Sequence, residues 1–153
     1  MLDDDVRVYS GKLPHLRLDG ATYFVTWRVE RGIPELTPAE RSAVMSALRY
    51  FDGTRYELIA CVVMNDHVHV VVTPSEPYQL EQLLHSWRGF TTRELRVGGR
   101  EGRIWQREYM DRIIRNERDL RQVADYVVSN PQARWPDCEH YEWVWANWMD
   151  EDE

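Results

Sequence analysis

The sequence predicts an α+β fold: a ferredoxin-like split β-α-β arrangement with a four-stranded antiparallel sheet, plus an extra C-terminal helix that carries a tyrosine. Three observations predict it. Segments with strand-like and helix-like apolar spacing follow one another in the order β-α-β-β-α-β-α, turns rich in glycine or proline separate them, and the 153 residues suit one domain. We therefore expect a single domain over residues 1–153, with its core at about 11–136 and an acidic, aromatic tail at 137–153.

The first strand, the first helix and a β-hairpin are predicted in the N-terminal half. Residues 21–30 are rich in β-branched and aromatic side chains, as strands are. A threonine, a proline and a glutamate at the start of residues 37–50 form the pattern of a capping box, which predicts a helix. Two apolar runs, 56–64 and 67–73, flank a two-residue turn and predict the hairpin that supplies the second and third strands.

A second helix, a fourth strand and a last helix are predicted in the C-terminal half. Apolar residues recur at helical spacing over 78–97, and the segment 105–115 contains a strand-like stretch. A last helix is predicted over 117–129. The pair Asn130 and Pro131 is expected to end it, because the residue before a proline disfavours helical dihedrals.

The net charge of −7 is unevenly distributed along the chain. Ten acidic residues lie in segments 3–5 and 137–153, and the residues between them, 6–136, carry a net charge of +3. Residues 87–121 contain ten arginines and six acidic residues, and an arginine fork matches the geometry of a phosphate. A basic middle between acidic ends indicates either an anionic partner or a solvated, salt-bridged surface. The tail's three tryptophans predict that it packs on the domain, and its acidic residues either aid solubility or cover the basic surface.

Composition excludes several classes of protein. No apolar run approaches the ~20 residues that a membrane span needs. The acidic N-terminus lacks the basic-then-apolar order of a secretory signal, so a cytoplasmic protein is expected. Two cysteines are too few for a disulfide scaffold or a cysteine metal site.

Two histidines share one face of the third predicted strand. Successive side chains of a strand alternate between faces, so His67 and His69 project together while Val68 projects to the other side. Alternate positions are ~7 Å apart along a strand, and two imidazoles at that separation can converge on one divalent cation. The pattern equally describes two polar histidines on a half-buried strand. The apolar neighbours favour a partner, because an unpaired ionisable group there is costly.

A tyrosine and an asparagine share one face of the last predicted helix. Tyr126 and Asn130 are four residues apart, which places them one turn apart. A phenol is a weak nucleophile at neutral pH, but beside a metal-polarised phosphate it can attack phosphorus and form a covalent intermediate. The Asn130 side-chain oxygen suits Mg²⁺ or Mn²⁺ beside two imidazoles. Packing for Tyr126 and a helix cap for Asn130 are the alternative roles.

Five segments match one family in order. They are GATYFVTW at 20–27, VMNDHVH at 63–69, WRGFT at 87–91, IWQREYMDR at 104–112 and ADYVVSNP at 124–131. On these segments the chain resembles the single-tyrosine HUH transposases, in particular the REP-associated tyrosine transposases of bacteria. The resemblance spans about residues 11–136.

The resemblance implies an enzyme that nicks and rejoins single-stranded DNA at hairpin-forming repeats without an external energy source. Tyr126 would be the nucleophile, leaving a 5′-phosphotyrosine and a free 3′-hydroxyl. By the same match, His67, His69 and Asn130 would hold a divalent metal ion, Mg²⁺ or Mn²⁺. The partner would be single-stranded or hairpin DNA.

Two features qualify this assignment. The family usually has Pro-Asn before the first histidine, whereas this chain has Asn65 and Asp66, and the carboxylate of Asp66 is expected either to tune metal affinity or to repel phosphate. Tyr109 is a second candidate nucleophile, but on a strand it lacks a partner at helical spacing such as Asn130. It is alternatively expected to stack on a base.

DNA contacts are expected from the arginine-rich segment and from one tryptophan, which provide phosphate binding and base stacking. The candidates are Arg88, Arg93, Arg96, Arg103, Trp105, Arg107, Arg112 and Arg115.

Alternative functions and assemblies stay open at this stage. The runner-up function is a domesticated module that binds hairpin DNA without cutting it. A metal-dependent phosphoesterase for small substrates, in which Tyr126 is structural, is a further alternative. Relatives include monomers that act in cis and homodimers that share the tyrosine helix, and the short span between Ile114 and Glu117 favours a monomer.

Overall fold

Six strands form one antiparallel sheet in the computed structural model of the chain, which describes residues 7–9 and 20–149. Three helices pack on this sheet, and the strand order across it is β1-β5-β2-β4-β3-β6. The elements are β1 (Arg7–Tyr9), β2 (Tyr23–Val29), α1 (Pro38–Tyr50), β3 (Tyr56–Val63), β4 (His67–Pro74), α2 (Leu80–Val97), β5 (Trp105–Ile113), α3 (Glu117–Arg134) and β6 (Val144–Ala146).

The four central strands confirm the predicted fold class. The order β5-β2-β4-β3, with α1 and α2 as the two crossovers, is the ferredoxin-like arrangement expected from the sequence. The predicted number of strands is wrong, because β1 and β6 extend the sheet at its two edges. Each of these strands has only three residues, which is too short for an alternating pattern to be recognised.

The two faces of the sheet bury separate apolar clusters. Val25, Trp27 and Val70 face one side, where they pack with buried residues of α1 and α2. Phe24 and Val71 face the other side, where α3 packs. Helices α1 and α2 therefore cover one face of the sheet, and α3 covers the opposite face, from which the even-numbered side chains of β2 project.

The last helix is longer than predicted. It continues through Pro131 to Arg134, and its cap is Trp135, whose backbone N–H donates to the Pro131 carbonyl at 2.8 Å. Proline removes one intrahelical hydrogen bond, but the Pro131 ring is buried, and its packing compensates for that loss. The expected helix end at Asn130 is therefore wrong, and so is the capping role for this residue.

The start of α3 is held to β5 by a buried ion pair. Both terminal nitrogens of Arg112 donate to the Asp119 carboxylate, at 2.8 and 2.7 Å. Asn116 caps the helix by accepting a hydrogen bond from the Asp119 backbone N–H at 2.8 Å. The bond from Arg112 is the main reason that the pKa of Asp119 lies below its ordinary value. These contacts determine where α3 lies over the sheet.

Much of the expected tail belongs to the sheet. In β6, Trp145 and Ala146 are buried, and the Tyr141 hydroxyl donates to the Val63 carbonyl at 2.6 Å. The prediction that this segment packs on the domain is confirmed for its described part. Strand β6 lies along β3, and β2, β4 and β3 separate it from β5, so this strand does not cover the basic surface of β5.

Some expectations fall outside the described residues. The predicted boundary near residue 11 and the acidic residues 3–5 and 150–153 are among them. Within residues 20–149, no helix is both long enough and apolar enough to cross a lipid bilayer.

Candidate functional site

His67 and His69 lie side by side on the α3 face of the sheet. Their ring centroids are 4.7 Å apart, as the alternation of β4 predicts. His69 is buried and contacts Phe24, with ring centroids 5.4 Å apart, whereas His67 lies closer to solvent. Solvent therefore reaches the histidine pair from the side of His67.

Each histidine has its Nδ1 atom engaged by a neighbouring oxygen. The Thr26 hydroxyl lies 2.6 Å from Nδ1 of His69, on the directly paired residue of β2. The Asp66 carboxylate lies 2.7 Å from Nδ1 of His67. Neither Nε2 atom has a hydrogen-bond partner within residues 20–149. Such second contacts fix the orientation of a metal-binding imidazole and leave the other nitrogen available.

Burial keeps His69 neutral. It lowers the pKa of this imidazole well below the ordinary value, and the neighbouring His67 ring and Arg28 guanidinium lower it further. A neutral imidazole carries the lone pair that a metal ligand needs.

Tyr126 meets this histidine pair within the same chain. Its ring centroid lies 5.5 Å from that of His69 and 6.0 Å from that of Phe24, with edge-to-face geometry in both cases. Val123 and Val127 on the buried stripe of α3 place the neighbouring Tyr126 at the margin of the helix, where 42% of its surface remains exposed. The phenol is therefore both close to the imidazoles and accessible to a large substrate.

Tyr109 lies on the other face of the sheet. It is paired with Trp27 of β2 and is buried in the cluster under α1 and α2. The sheet therefore separates it from His67 and His69. This position excludes it as the partner of the histidine pair in its own chain. Only 8% of its surface is exposed, and the Arg88 guanidinium lies 5.8 Å from its ring centroid.

Asn130 lies one turn beyond Tyr126 on the same side of α3, inside the helix and half-buried. Its side chain has no hydrogen-bond partner among the described residues. Two imidazole nitrogens and an amide oxygen form a donor set that suits a divalent cation. No cluster of three or more His, Cys, Asp and Glu side chains within the described residues offers an alternative metal site.

The sequence reasoning gave no role to Thr26 or Arg28. Alternation along β2 puts Phe24, Thr26 and Arg28 on the histidine face. Arg28 is exposed and directly opposite His67, so it adds a positive charge beside the pair. A polar or charged residue at alternate positions of an otherwise apolar strand was the signal that could have identified them.

Five of the predicted DNA-contact arginines line one groove of about 590 Å³ between α2 and β5, here called the arginine groove. Within the described part of the chain, no acidic residue lines it, and its floor belongs to the face covered by α1 and α2. The pairing of Val29 with Trp105 and of Arg28 with His67 puts its β5 wall at the same end of the sheet as the histidines. The five arginines are Arg88, Arg93, Arg96, Arg103 and Arg107.

The other three predicted DNA contacts are not exposed residues of this groove, although Trp105 contributes to its lining. Trp105 is only 3% exposed, and its Nε1 donates to the Thr91 hydroxyl at 2.9 Å, so it offers no stacking platform. Arg112 is 2% exposed and paired with Asp119, so it is structural. Arg115 is exposed but lies before α3, outside the groove.

Comparison with known proteins places the chain among transposases. The profile of the family described as IS200-like transposases matches residues 35–130, more than half of the chain. A REP-associated tyrosine transposase of Escherichia coli K12 is 26% identical over 115 residues, which represent 74% of this chain and 68% of that protein. The solved structure of a REP-associated tyrosine transposase bound to a REP hairpin superposes with a TM-score of 0.68 at 22% identity, covering 82% of this chain and 74% of that one.

Proposed function

The chain belongs to the IS200-like transposase family, and we propose that it is a metal-dependent, single-tyrosine HUH endonuclease and strand transferase. It nicks and rejoins single-stranded DNA at hairpin-forming repeats through a 5′-phosphotyrosine. The substrate class is supported by the relatives, one of which is a REP-associated transposase solved with a REP hairpin. The arginine groove supplies a surface for the phosphates of such a substrate.

The observation that carries the proposal is the meeting of Tyr126 and His69 in one chain, with ring centroids 5.5 Å apart. A tyrosine with a purely structural role has no need to be exposed beside two imidazoles whose Nε2 atoms have no hydrogen-bond partner among the described residues. The exposed fraction of Tyr126 gives a DNA backbone access to the phenolic oxygen.

The reaction exchanges one phosphodiester for another. The Tyr126 Oη attacks phosphorus and forms a new P–O bond, while the bond to the 3′-oxygen breaks and that oxygen leaves with the electron pair. The phenolic proton passes to water, and the leaving oxygen takes up a proton. The phosphotyrosine conserves the ester bond, so a 3′-hydroxyl can reverse the step without an energy source.

His67 and His69 through Nε2, and Asn130 through its side-chain oxygen, would hold the metal ion. A bound Mg²⁺ or Mn²⁺ would polarise the scissile phosphate and offset charge on its oxygens. Thr26 and Asp66 orient the two rings, and α3 brings the Tyr126 ring centroid within 5.5 Å of the His69 ring centroid.

The direct test is covalent trapping. The full chain is incubated with a pool of labelled oligonucleotides that share one hairpin stem and carry randomised single-stranded flanks, with Mn²⁺, with Mg²⁺ or with EDTA. We expect a denaturant-resistant protein–DNA band that requires metal. Salt-sensitive binding without any such band would instead support a hairpin-binding module. Turnover of nucleotides without trapping would support a phosphoesterase.

Removing the Asp66 carboxylate should weaken metal binding. Because Asp66 holds Nδ1 of His67, we expect Asp66→Ala to raise the Mn²⁺ concentration needed for half-maximal adduct formation about 10- to 100-fold. Adduct formation by Asp66→Ala at saturating metal should be largely retained. Asp66→Asn keeps an acceptor oxygen and should lose less metal affinity than Asp66→Ala. The exposed carboxylate of Glu76 provides a matched control, Glu76→Ala. If Asp66→Ala leaves metal affinity unchanged and tightens DNA binding, the carboxylate acts by repelling phosphate.

We also propose that α3 acts on the histidines of its own chain, so that a monomer is sufficient. Only residues 114–116 separate β5 from α3, which leaves little chain for an exchange between copies. A mixture of Tyr126→Phe and His69→Ala proteins should therefore form no adduct. A mixture that forms the adduct would indicate a dimer that shares its tyrosine helices.

A further inference from the structure

The burial of Trp105 leaves the predicted base-stacking role without a residue. Within the described part of the chain, the large aromatic side chains that are exposed are Tyr50, Phe90, Tyr126 and Trp148. Tyr126 belongs to the histidine site, and Trp148 follows β6, at the edge of the sheet away from β5. Tyr50 and Phe90 are 77% and 43% exposed and lie together on α1 and α2.

These two aromatic residues line a second groove, here called the aromatic groove. It has a volume of about 430 Å³ and runs between α1 and α2. The Phe51 ring stands edge-on to that of Tyr50, with centroids 4.6 Å apart, and the Arg55 guanidinium lies 3.6 Å from the Phe51 centroid. The groove therefore combines flat apolar faces with nearby positive charge. Among residues 20–149, no acidic side chain lines it.

The aromatic groove adjoins the arginine groove. Arg93 on the exposed side of α2 lines both of them, so their walls meet at this side chain. Phe90 precedes Arg93 by three residues, which puts the two side chains on one face of the helix. Only the width of α2, ~10 Å, separates the two grooves. A chain whose phosphates lie in the arginine groove can therefore cross α2 with its bases beside Phe90 and Tyr50.

We propose that the aromatic groove binds unpaired bases of single-stranded DNA, by stacking on Phe90 and Tyr50, while Arg93 and the arginine groove bind the adjoining phosphates. Charge complementarity selects this occupant, because the surface around the aromatic rings is basic and a nucleic acid strand is the polymer that alternates flat rings with negative charges. A base within a duplex already stacks on its neighbours and does not offer its face. The groove therefore discriminates unpaired from paired nucleotides. This inference rests on the proposed function, which identifies the ligand as DNA.

The test compares two DNA probes in EDTA, so that binding is measured without cleavage. One probe is a fluorescein-labelled oligothymidine of 20 nucleotides, and the other is a blunt-ended duplex of two annealed strands, which has no loop and no overhangs. We expect Phe90→Ala and Tyr50→Ala each to weaken oligothymidine binding roughly 5- to 100-fold in fluorescence anisotropy. Binding of the blunt duplex should change less than about twofold, since it offers no unpaired base. Phe90→Trp should restore oligothymidine affinity.

The matched control is Val97→Ala, because Val97 is 86% exposed on the same helix and lines neither groove. If Phe90→Ala behaves like Val97→Ala, or if both probes weaken equally, the stacking proposal is wrong. It is also wrong if Phe90→Ala shifts the sedimentation of the free protein and leaves both affinities unchanged, since the groove would then bind a second copy. Adduct formation by the wild-type chain is scored separately, so a failure of the cleavage proposal is distinguishable from a failure of this one.

Discussion

Tyr126→Phe should eliminate the covalent protein–DNA product, lowering its rate of formation by about a thousandfold or more, because the substitution removes the oxygen that attacks phosphorus. The phenylalanine ring keeps the edge-on contacts with His69 and Phe24. The fold and the affinity for hairpin DNA should therefore be close to those of the wild-type chain. Adduct formation is measured on denaturing gels under single-turnover conditions, and affinity is measured by anisotropy in EDTA.

Tyr109→Phe is the control for this prediction. Tyr109 has the same chemistry but lies on the opposite face of the sheet, under α1 and α2. We expect its substitution to leave adduct formation within a few-fold of the wild type. Covalent product that persists in Tyr126→Phe and disappears in Tyr109→Phe would contradict the assignment of the nucleophile.

Arg112→Ala should lower the free energy of unfolding by about 3–5 kcal/mol, because it leaves the Asp119 carboxylate without its partner at a largely buried position. The measurement is urea unfolding followed by circular dichroism. Arg107→Ala is the control, since Arg107 is an exposed residue of the arginine groove on the same strand. Its loss should leave stability nearly unchanged and reduce the salt dependence of DNA binding.

A double-mutant cycle separates a structural role for Arg112 from a phosphate-binding role. Replacing both Arg112 and Asp119 by alanine should lower the free energy of unfolding by less than the sum of the two single losses, because the two side chains act as one unit. The opposite outcome is an unfolding free energy of Arg112→Ala within about 1 kcal/mol of the wild-type value, together with DNA binding weakened as in Arg107→Ala. That result would identify Arg112 as a phosphate contact and contradict its structural role.

The pH dependence of this ion pair has a defined sign. The folded state lowers the pKa of Asp119 below its ordinary value of 3.8, chiefly through the hydrogen bond from Arg112. The stability that this shift provides is therefore fully present above that value, and it is lost as the pH falls through the lower pKa of the folded state. The difference in stability between the wild type and Arg112→Ala should accordingly narrow as the pH falls below about 4.

Local signals predicted most of the individual elements. The capping box at Thr37 forms as expected, with Glu40 accepting from the Thr37 backbone N–H at 2.9 Å. The hairpin of β3 and β4 follows from two apolar runs around a short turn, and period-two alternation alone puts His67 and His69 on one face. Such features depend on neighbours within a few residues, and for this reason a single sequence reveals them.

The outcome at Pro131 shows where local rules failed. The dihedral preference before proline disfavours helix by a modest amount, and the sequence reasoning ended the helix there. In the folded chain Pro131 belongs to α3 and its ring is buried. The packing of this ring outweighs the dihedral preference before proline, so Asn130 stays inside the helix. The same limit applies to Trp105 and Arg112, which look like surface ligands in a basic segment but are buried through contacts with Thr91 and Asp119.

The order of the elements, the shared face of the two histidines and the one-turn spacing of Tyr126 and Asn130 were determined by the sequence alone, because each depends on a repeat of two or about four residues. Only the tertiary structure decided that α3 crosses the histidine face and that Tyr109 lies behind the sheet. It also decided that Thr26 and Asp66 take the two Nδ1 atoms. The physical reason is that docking of α3 depends on its buried stripe and on the Arg112–Asp119 pair. These contacts join separate elements, and no short repeat in the sequence indicates that those elements pack together.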